Sequence, residues 1–166
     1  MKTQALRIYG KGEIGVDTIY INSPGPGQVQ VEISACGICA WDVLLFNGGS
    51  LFEDYPLYFG HEGVGVVTSV GTGVTNYKKH DKVFCAGGGI HMAQKVNLDT
   101  RYITRIPDDA DMKFWVGEPV ACVVNGLDQL CIVPGENVVL IGAGFMGLLQ
   151  IQGLSRTLAG KITVFD

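Results

Sequence analysis

Alternation of apolar and polar residues dominates the first ninety or so positions of the chain. Five segments carry β-branched residues in partial alternation, which is typical of half-buried strands. These segments are 2–10 (KTQALRIYG), 16–21 (VDTIYI), 28–35 (QVQVEISA), 63–71 (GVGVVTSVG) and 81–89 (DKVFCAGGG). Proline and glycine in residues 22–28 (NSPGPGQ) predict a turn. Many short strands separated by glycine turns predict a barrel-like all-β domain.

The pattern changes near position 108. Residues 107–130 have apolar positions at helical spacing behind an acidic start, which predicts a helix. An apolar strand at Val138–Ile141, an apolar helix and a second strand at Ile162–Phe165 then predict one β-α-β unit. A parallel sheet needs more than two strands, so we expect this chain to be a truncated portion of a longer protein.

Composition narrows the class of protein. The net charge of −4 argues against nucleic acid as a partner, since phosphate binding needs a basic surface. With 47% hydrophobic residues the chain can form a sizeable core, yet no apolar run is long enough to span a membrane. The N-terminus lacks an export signal, and an odd number of cysteines, five, favours reduced thiols in the cytoplasm.

A glycine motif lies at the turn of the predicted β-α-β unit. Residues 142–147 (GAGFMG) follow an apolar strand and open an apolar helix, and Asp166 closes the next strand. Asp166 lies about 20 residues beyond the motif, the spacing of a dinucleotide fingerprint. We expect Phe145 and Met146, at the start of the helix, to contact the cofactor. The alternative is a glycine-rich turn in some other α/β protein.

The chemistry of a dinucleotide explains these residue types. Gly142 permits the tight turn, Gly144 lets the backbone approach the pyrophosphate, and Gly147 lets the helix pack close to the strand. The helix N-terminus offers unpaired N–H groups to the phosphates. Asp166 can accept hydrogen bonds from the ribose hydroxyls and would repel a 2′-phosphate, so the motif favours NAD over NADP.

Four residues are candidate zinc ligands: Cys39, His61, Glu62 and Glu118. Zinc accepts thiolate, imidazole and carboxylate, and a catalytic site keeps one position open for water or substrate. Taken singly, each residue has another explanation. A lone cysteine is often a small buried hydrophobe, a lone histidine is often structural, and Glu118 before Pro119 can cap a helix. The residues alone leave both interpretations open.

Four motifs together resemble one known family. In chain order they are PGPGQVQVEISACGICAWD (24–42), GHEGVGVVTSVGTGV (60–74), EPVACVVNGL (118–127) and VVLIGAGFMGLLQ (138–150). The chain resembles the N-terminal half of the medium-chain zinc-dependent dehydrogenases, the alcohol and polyol dehydrogenase superfamily. The resemblance implies an α/β protein with a GroES-like β-barrel catalytic domain at 1–130, lacking its C-terminal return segment. The truncated start of a Rossmann NAD-binding domain would follow at 131–166.

The resemblance also implies one catalytic zinc ion and a set of residues around it. Cys39 matches the family's ligand cysteine and His61 its ligand histidine, while Glu62 lies in or next to the ligand set. Glu118 matches the polyol-type ligand and would bind zinc directly or through water. Asp42 matches the aspartate that accepts a hydrogen bond from the ligand histidine and so fixes the ring tautomer.

Trp41 departs from the family pattern. The family usually has serine or threonine at this position, where the hydroxyl begins a proton relay. Tryptophan cannot do this, so either water with Glu118 or Glu62 moves the proton or the substrate geometry differs. The indole would stack on a sugar-like ring or would simply fill the pocket wall.

Other cysteines and histidines are expected to be structural. Cys36 is expected to be a structural neighbour of the ligand cysteine. Many relatives hold a second, structural zinc with four closely spaced cysteines, but here the corresponding segment has Cys85 alone, so no such site is expected. His80 and His91 lack clustered partners and are expected at the surface or in a structural role.

The expected function is hydride transfer between a secondary alcohol or polyol and NAD, with NADP less favoured, in a full-length enzyme that forms a homo-oligomer. The alternative is a truncated or non-catalytic GroES-like domain without turnover. The zinc-free quinone reductase branch is another candidate, but it would not need Cys39, His61 and Glu118 together.

Overall fold

The chain forms two compact units, Met1–Glu118 and Pro119–Asp166. The computed structural model describes residues 1–49 and 54–166. The division falls at the first residue of a helix, so most of that helix belongs to the second unit. The domain limits 1–130 and 131–166 stay a prediction.

The first unit is built mostly of strands. They are β1 (Lys2–Gly10), β2 (Glu13–Tyr20), β3 (Gln28–Cys36), β4 (Leu57–Tyr58), β5 (Gly63–Val70), β6 (Lys82–Cys85), β7 (Lys95–Asp99) and β8 (Ile103–Arg105). A short helix, α1 (Ala40–Phe46), follows β3. Single 3₁₀ turns lie at Thr100–Tyr102 and Met112–Phe114.

These strands form two antiparallel sheets. One has the order β2-β1-β4 and the other the order β7-β3-β5-β6-β8. An isolated bridge between Ala5 and Ala93 links β1 to the segment before β7. Strand β3 lies between β5 and β7, with Val31 opposite Val67 on one side and Val96 on the other. Buried and less buried residues alternate in β6 and β7, whereas β2 has no buried residue.

The main core lies on the larger sheet. Val29, Val31, Val67, Val83 and Leu98 are fully buried and belong to one cluster. Fully burying an aliphatic side chain contributes about 1.5–3 kcal/mol. This cluster therefore holds β3, β5, β6 and β7 together and gives the loops at the strand ends a rigid base.

The second unit contains the predicted β-α-β unit. After α2 (Glu118–Leu130) come β9 (Asn137–Ile141), α3 (Phe145–Leu154) and β10 (Lys161–Phe165). Strands β9 and β10 pair in parallel, with Val138 opposite Ile162 and Ile141 opposite Phe165. This order and the parallel pairing are those of a β-α-β unit.

The five predicted strand segments all contain strands, but the helix predicted over 107–130 begins only at Glu118. The Asp111 side chain accepts a hydrogen bond from Lys113 N, which supports a 3₁₀ turn in place of an α-helix. Pro119 is the second residue of the helix, and proline favours the first turn. The prediction was therefore wrong for residues 107–117.

None of the five cysteines, all of which lie in the described part of the chain, forms a disulfide bond. Within residues 1–49 and 54–166, no helix is long and apolar enough to cross a membrane.

Asp81 ties the turn before β6 to β8. Its carboxylate accepts hydrogen bonds from Lys78 N at 3.0 Å and from the Arg105 guanidinium at 2.7 Å. Burial opposes ionisation, but these bonds more than offset it and lower the pKa of Asp81 below its usual value. Its charge therefore stabilises the fold above about pH 4, and this contribution is lost as the pH falls through the lowered pKa.

We predict that Asp81→Asn lowers the free energy of unfolding at pH 7 by about 1–3 kcal/mol, because the charged partner of Arg105 is lost. The difference from wild type should shrink as the pH falls below about 4 and through the lowered pKa of Asp81, where the native carboxylate becomes neutral. Urea unfolding at several pH values measures both effects, with exposed Asp109→Asn as the control. An unchanged difference at acidic pH would contradict the assignment.

Candidate functional site

Cys39 is held at the start of α1 by a reciprocal cap. Its sulfur accepts a hydrogen bond from Trp41 N at 3.2 Å, and the Asp42 carboxylate accepts one from Cys39 N at 2.9 Å. This pattern is a capping box in which a cysteine sulfur replaces the usual hydroxyl. The helix start therefore fixes the position of the Cys39 sulfur and buries Asp42 beside it.

His61 and Glu62 lie in the segment between β4 and β5. The His61 Nε2 atom is 3.5 Å from the Cys39 sulfur and 3.8 Å from Glu62 Oε1. Two donors bound to one tetrahedral zinc ion at about 2.0–2.3 Å lie about 3.5 Å apart. The Cys39 sulfur and the Glu62 carboxylate oxygen therefore approach His61 Nε2 at the spacing that shared ligation requires.

Glu118, the first residue of α2, completes the cluster. Ligand atoms of His61, Glu62 and Glu118 all lie within 4.8 Å of one another, and the same holds for Cys39, Asp42 and His61. His61 belongs to both groups. The four candidate ligands therefore lie in two groups joined by His61, and thiolate, imidazole and carboxylate donors fit zinc.

Asp42 lies beside the other ring nitrogen of His61. The distance from His61 Nδ1 to Asp42 Oδ1 is 3.9 Å, which is longer than a hydrogen bond. Oδ1 is buried and has no hydrogen-bond partner among the described residues. The predicted hydrogen bond is therefore not made at this distance, but Asp42 is placed to accept the Nδ1 proton after a small ring movement.

Electrostatics at the cluster disfavour negative charge. Burial and the nearby charge of Glu118 raise the pKa of Glu62, although His61 opposes the shift. Burial also raises the pKa of the Cys39 thiol, against the lowering effect of hydrogen bonds from the backbone of residues 41 and 42. A bound divalent cation would offset both effects, because it stabilises thiolate and carboxylate together.

Cys36 and Trp41 flank this cluster. Burial raises the pKa of Cys36 to about 11, so its thiol is protonated, and it donates a hydrogen bond to Gly37 O. Neither group of donors found among the described residues includes Cys36. The Trp41 side chain is 43% exposed, while its backbone N–H donates to Cys39.

Gly37 is a site residue that the sequence analysis missed. Its N–H donates to Glu62 O, and a Cβ atom at this position would lie 2.1 Å from Glu62 Oε2 and 3.0 Å from Val116 Cγ1. A side chain here would displace the Glu62 carboxylate. The sequence does offer a signal for Gly37, because a glycine inside the CGIC motif indicates that the backbone approaches another group closely.

In the second unit the glycine motif has the geometry expected for each glycine. Gly142 has a φ of +97°, and a Cβ atom at Gly147 would lie 2.1 Å from Gly142 O. A Cβ atom at Gly144 would meet nothing within 4 Å, so the space in front of the helix is open. Gly144 is also the N-cap of α3 and makes no side-chain cap, which leaves N–H groups of the first turn for a phosphate.

Asp166 and the first helical residues border this motif. Asp166 Oδ1 accepts a hydrogen bond from Ala143 N at 2.8 Å, so the carboxylate is fixed beside the glycine turn. Phe145 and Met146 are exposed at the start of α3. All three residues are expected from the sequence to contact a dinucleotide, and they lie at one end of the β-α-β unit.

A family model described as the alcohol dehydrogenase GroES-like domain matches residues 25–156. The chain therefore belongs to the medium-chain, zinc-dependent alcohol dehydrogenase family, and its first unit is a GroES-like domain with a curled antiparallel half-barrel.

Individual relatives agree with this assignment. The (R,R)-butanediol dehydrogenase of Bacillus subtilis (strain 168) is 27% identical over 195 aligned residues, which cover 96% of this chain and 56% of the relative. The crystal structure of 2R,3R-butanediol dehydrogenase from Bacillus subtilis superposes with a TM-score of 0.80 at 26% identity, covering 99% of this chain and 58% of that one.

A second solved structure carries a cofactor. It is described as a zinc-binding dehydrogenase from Sinorhizobium meliloti 1021 bound to NADP, and it is 26% identical with a TM-score of 0.80 over 99% of this chain and 56% of that chain. The chain spans about half the length of the curated relatives it matches.

We predict that Gly37→Ala weakens zinc binding by about 10–100-fold, because the new methyl group displaces the Glu62 carboxylate. Competition with a chromophoric chelator measures the dissociation constant. Gly126→Ala is the control, since a Cβ atom there meets nothing within 4 Å and lies inside a helix. Equal zinc affinity in Gly37→Ala and wild type would show that zinc binding does not depend on the present position of the Glu62 carboxylate.

Proposed function

We propose that this chain is part of a zinc-dependent oxidoreductase that transfers hydride between a secondary alcohol or polyol and NAD. The observation that supports this most is the approach of the Cys39 sulfur and the Glu62 carboxylate to His61 Nε2 at 3.5 and 3.8 Å. Family membership supports an oxidoreductase, and the relatives include a butanediol dehydrogenase and a sorbitol dehydrogenase.

Cys39 and His61 would hold the zinc ion, with Glu62 and Glu118 as the carboxylate ligands, directly or through water. When bound, zinc supplies Lewis-acid chemistry that polarises the alcohol oxygen and lowers the pKa of the hydroxyl. The protein's own contribution is orientation. The capping box fixes Cys39, and Asp42 lies beside His61 Nδ1.

The hydroxyl proton must leave by a route that avoids residue 41, because tryptophan has no titratable group. The carboxylates of Glu62 and Glu118 lie in the cluster and can take the proton through water. The Trp41 indole is free to contact the substrate or to form the wall of its pocket.

The start of a Rossmann domain would bind the cofactor. N–H groups at the N-terminus of α3 would bind the phosphates, and the open space at Gly144 would admit them. The Asp166 carboxylate oxygen that does not bind Ala143 would accept hydrogen bonds from the ribose, which favours NAD. We place the catalytic domain at 1–130 and the start of the cofactor domain at 131–166, in a cytoplasmic homo-oligomer.

A non-catalytic GroES-like domain is the other candidate, and elemental analysis separates the two. About one zinc ion per chain supports the dehydrogenase. Zinc-free protein that also fails to bind NAD supports the non-catalytic domain.

We predict that Cys39→Ser abolishes zinc binding and alcohol oxidation together, because a serine hydroxyl does not ionise at neutral pH to replace the thiolate. Zinc content by elemental analysis and NADH formation by the full-length gene product measure the two losses. Exposed Cys131→Ser should change neither. If Cys39→Ser kept both zinc and activity, the site assignment would be wrong.

We predict that Asp166→Asn lowers the preference for NAD over NADP by about tenfold or more, because one charged hydrogen-bond partner of the ribose is lost together with the repulsion of a 2′-phosphate. The ratio of kcat/KM with NAD to that with NADP is the measurement. Exposed Asp128→Asn serves as the control. An unchanged ratio would show that Asp166 does not set the preference.

A further inference from the structure

Residues 59–63 carry His61 and Glu62 and end at Gly63, the first residue of β5, which pairs with Cys36 of β3. Each of the five is bonded to another part of the first unit. Four of these contacts join one main chain to another. They are Met92 N to Phe59 O, His91 N to Gly60 O, Gly87 N to His61 O and Gly37 N to Glu62 O, at 3.2, 3.0, 3.1 and 3.0 Å. Residues of almost any type can make such bonds.

The contact at residue 63 is different, because a side chain makes it. Gly63 N donates a hydrogen bond to His91 Nδ1 at 3.0 Å. The His91 backbone N–H also donates a hydrogen bond to Gly60 O. His91 is therefore bonded to this segment on both sides of the two ligand residues. Gly60 has a φ of +90°, and a Cβ atom there would lie 2.7 Å from Met92 N, which shows how closely the 91–92 segment packs on the loop.

Packing alone does not explain why residue 91 is a histidine. The side chain is fully buried, and its Nδ1 atom accepts the hydrogen bond from Gly63 N. An apolar residue of similar size could fill this space but could not accept that N–H, which would then be left without its partner. Because the Gly63 N–H is the donor, Nδ1 carries no proton and acts as the acceptor.

We propose that His91 is a positioning residue for the zinc site, and this rests on the proposed function. Its Nδ1 atom fixes the Gly63 end of the loop and thereby holds His61 and Glu62 in the orientation that lets them share a metal ion with Cys39. The residue acts through the backbone of the loop and not by contact with the metal or the substrate.

Three variants of the full-length protein test this proposal. His91→Asn keeps an acceptor close to the Nδ1 position, His91→Gln places its acceptor one atom farther out, and His91→Leu has none. We expect His91→Leu and His91→Gln to bind zinc about 10–100-fold more weakly than wild type. His91→Asn should stay close to wild type. Competition with a chromophoric chelator gives the zinc dissociation constant.

A spectroscopic readout separates positioning from general loss of stability. The visible spectrum of the Co²⁺-substituted protein reports the coordination geometry, and it should change in His91→Leu and His91→Gln but not in His91→Asn. Val29→Ala, a core substitution on β3, should lower the unfolding midpoint without changing zinc affinity or the Co²⁺ spectrum.

Zinc affinity and Co²⁺ spectra that are the same in wild type, His91→Asn and His91→Gln would overturn the proposal, as would equal weakening of both variants. The comparison of His91→Asn with His91→Gln tests the proposal even if His91→Leu does not fold. Wild-type protein that binds no zinc would instead contradict the proposed function itself.

Discussion

The approach of the Cys39 sulfur to the His61 imidazole, at 3.5 Å, is the interaction on which the candidate site depends. The two residues reach this distance by independent means. A capping box at the start of α1 holds Cys39, and main-chain bonds from β3, from the segment after β6 and from the segment before β7 hold the loop of His61. Both supports rest on the larger sheet, whose strands are held together by its buried core.

Charge explains why this arrangement is suited to a metal ion. Two glutamates, one aspartate and a cysteine meet around one histidine, and burial raises the pKa of both Glu62 and Cys39. Negative charges held this close repel one another unless a cation is present. The unpartnered Oδ1 atom of Asp42 fits the same picture, because metal ligation fixes the imidazole and leaves its second N–H to be bound.

The sequence by itself determined five of the eight strands described in the first unit, the turn at 22–28 and the strand–helix–strand order at 138–165, but it missed β4, β7 and β8. Alternation with a period of two, and a glycine turn between an apolar strand and an apolar helix, are local patterns that need no tertiary information. It also named Cys39, His61, Glu62 and Glu118, through motif resemblance rather than through spacing. It placed the start of α2 too early, because the 3₁₀ turn capped by Asp111 competes locally with helix formation.

The tertiary structure alone decided how those residues meet. Residues 39, 61, 62 and 118 come from three distant segments, and only the pairing of β3 with β5 brings the first three into one place. The roles of Gly37 and His91 were likewise hidden, because a glycine under a carboxylate and an imidazole behind a loop are defined by contacts between segments. Local sequence patterns report periodicity along one chain segment, whereas a steric clash or a hydrogen bond between two segments exists only after folding.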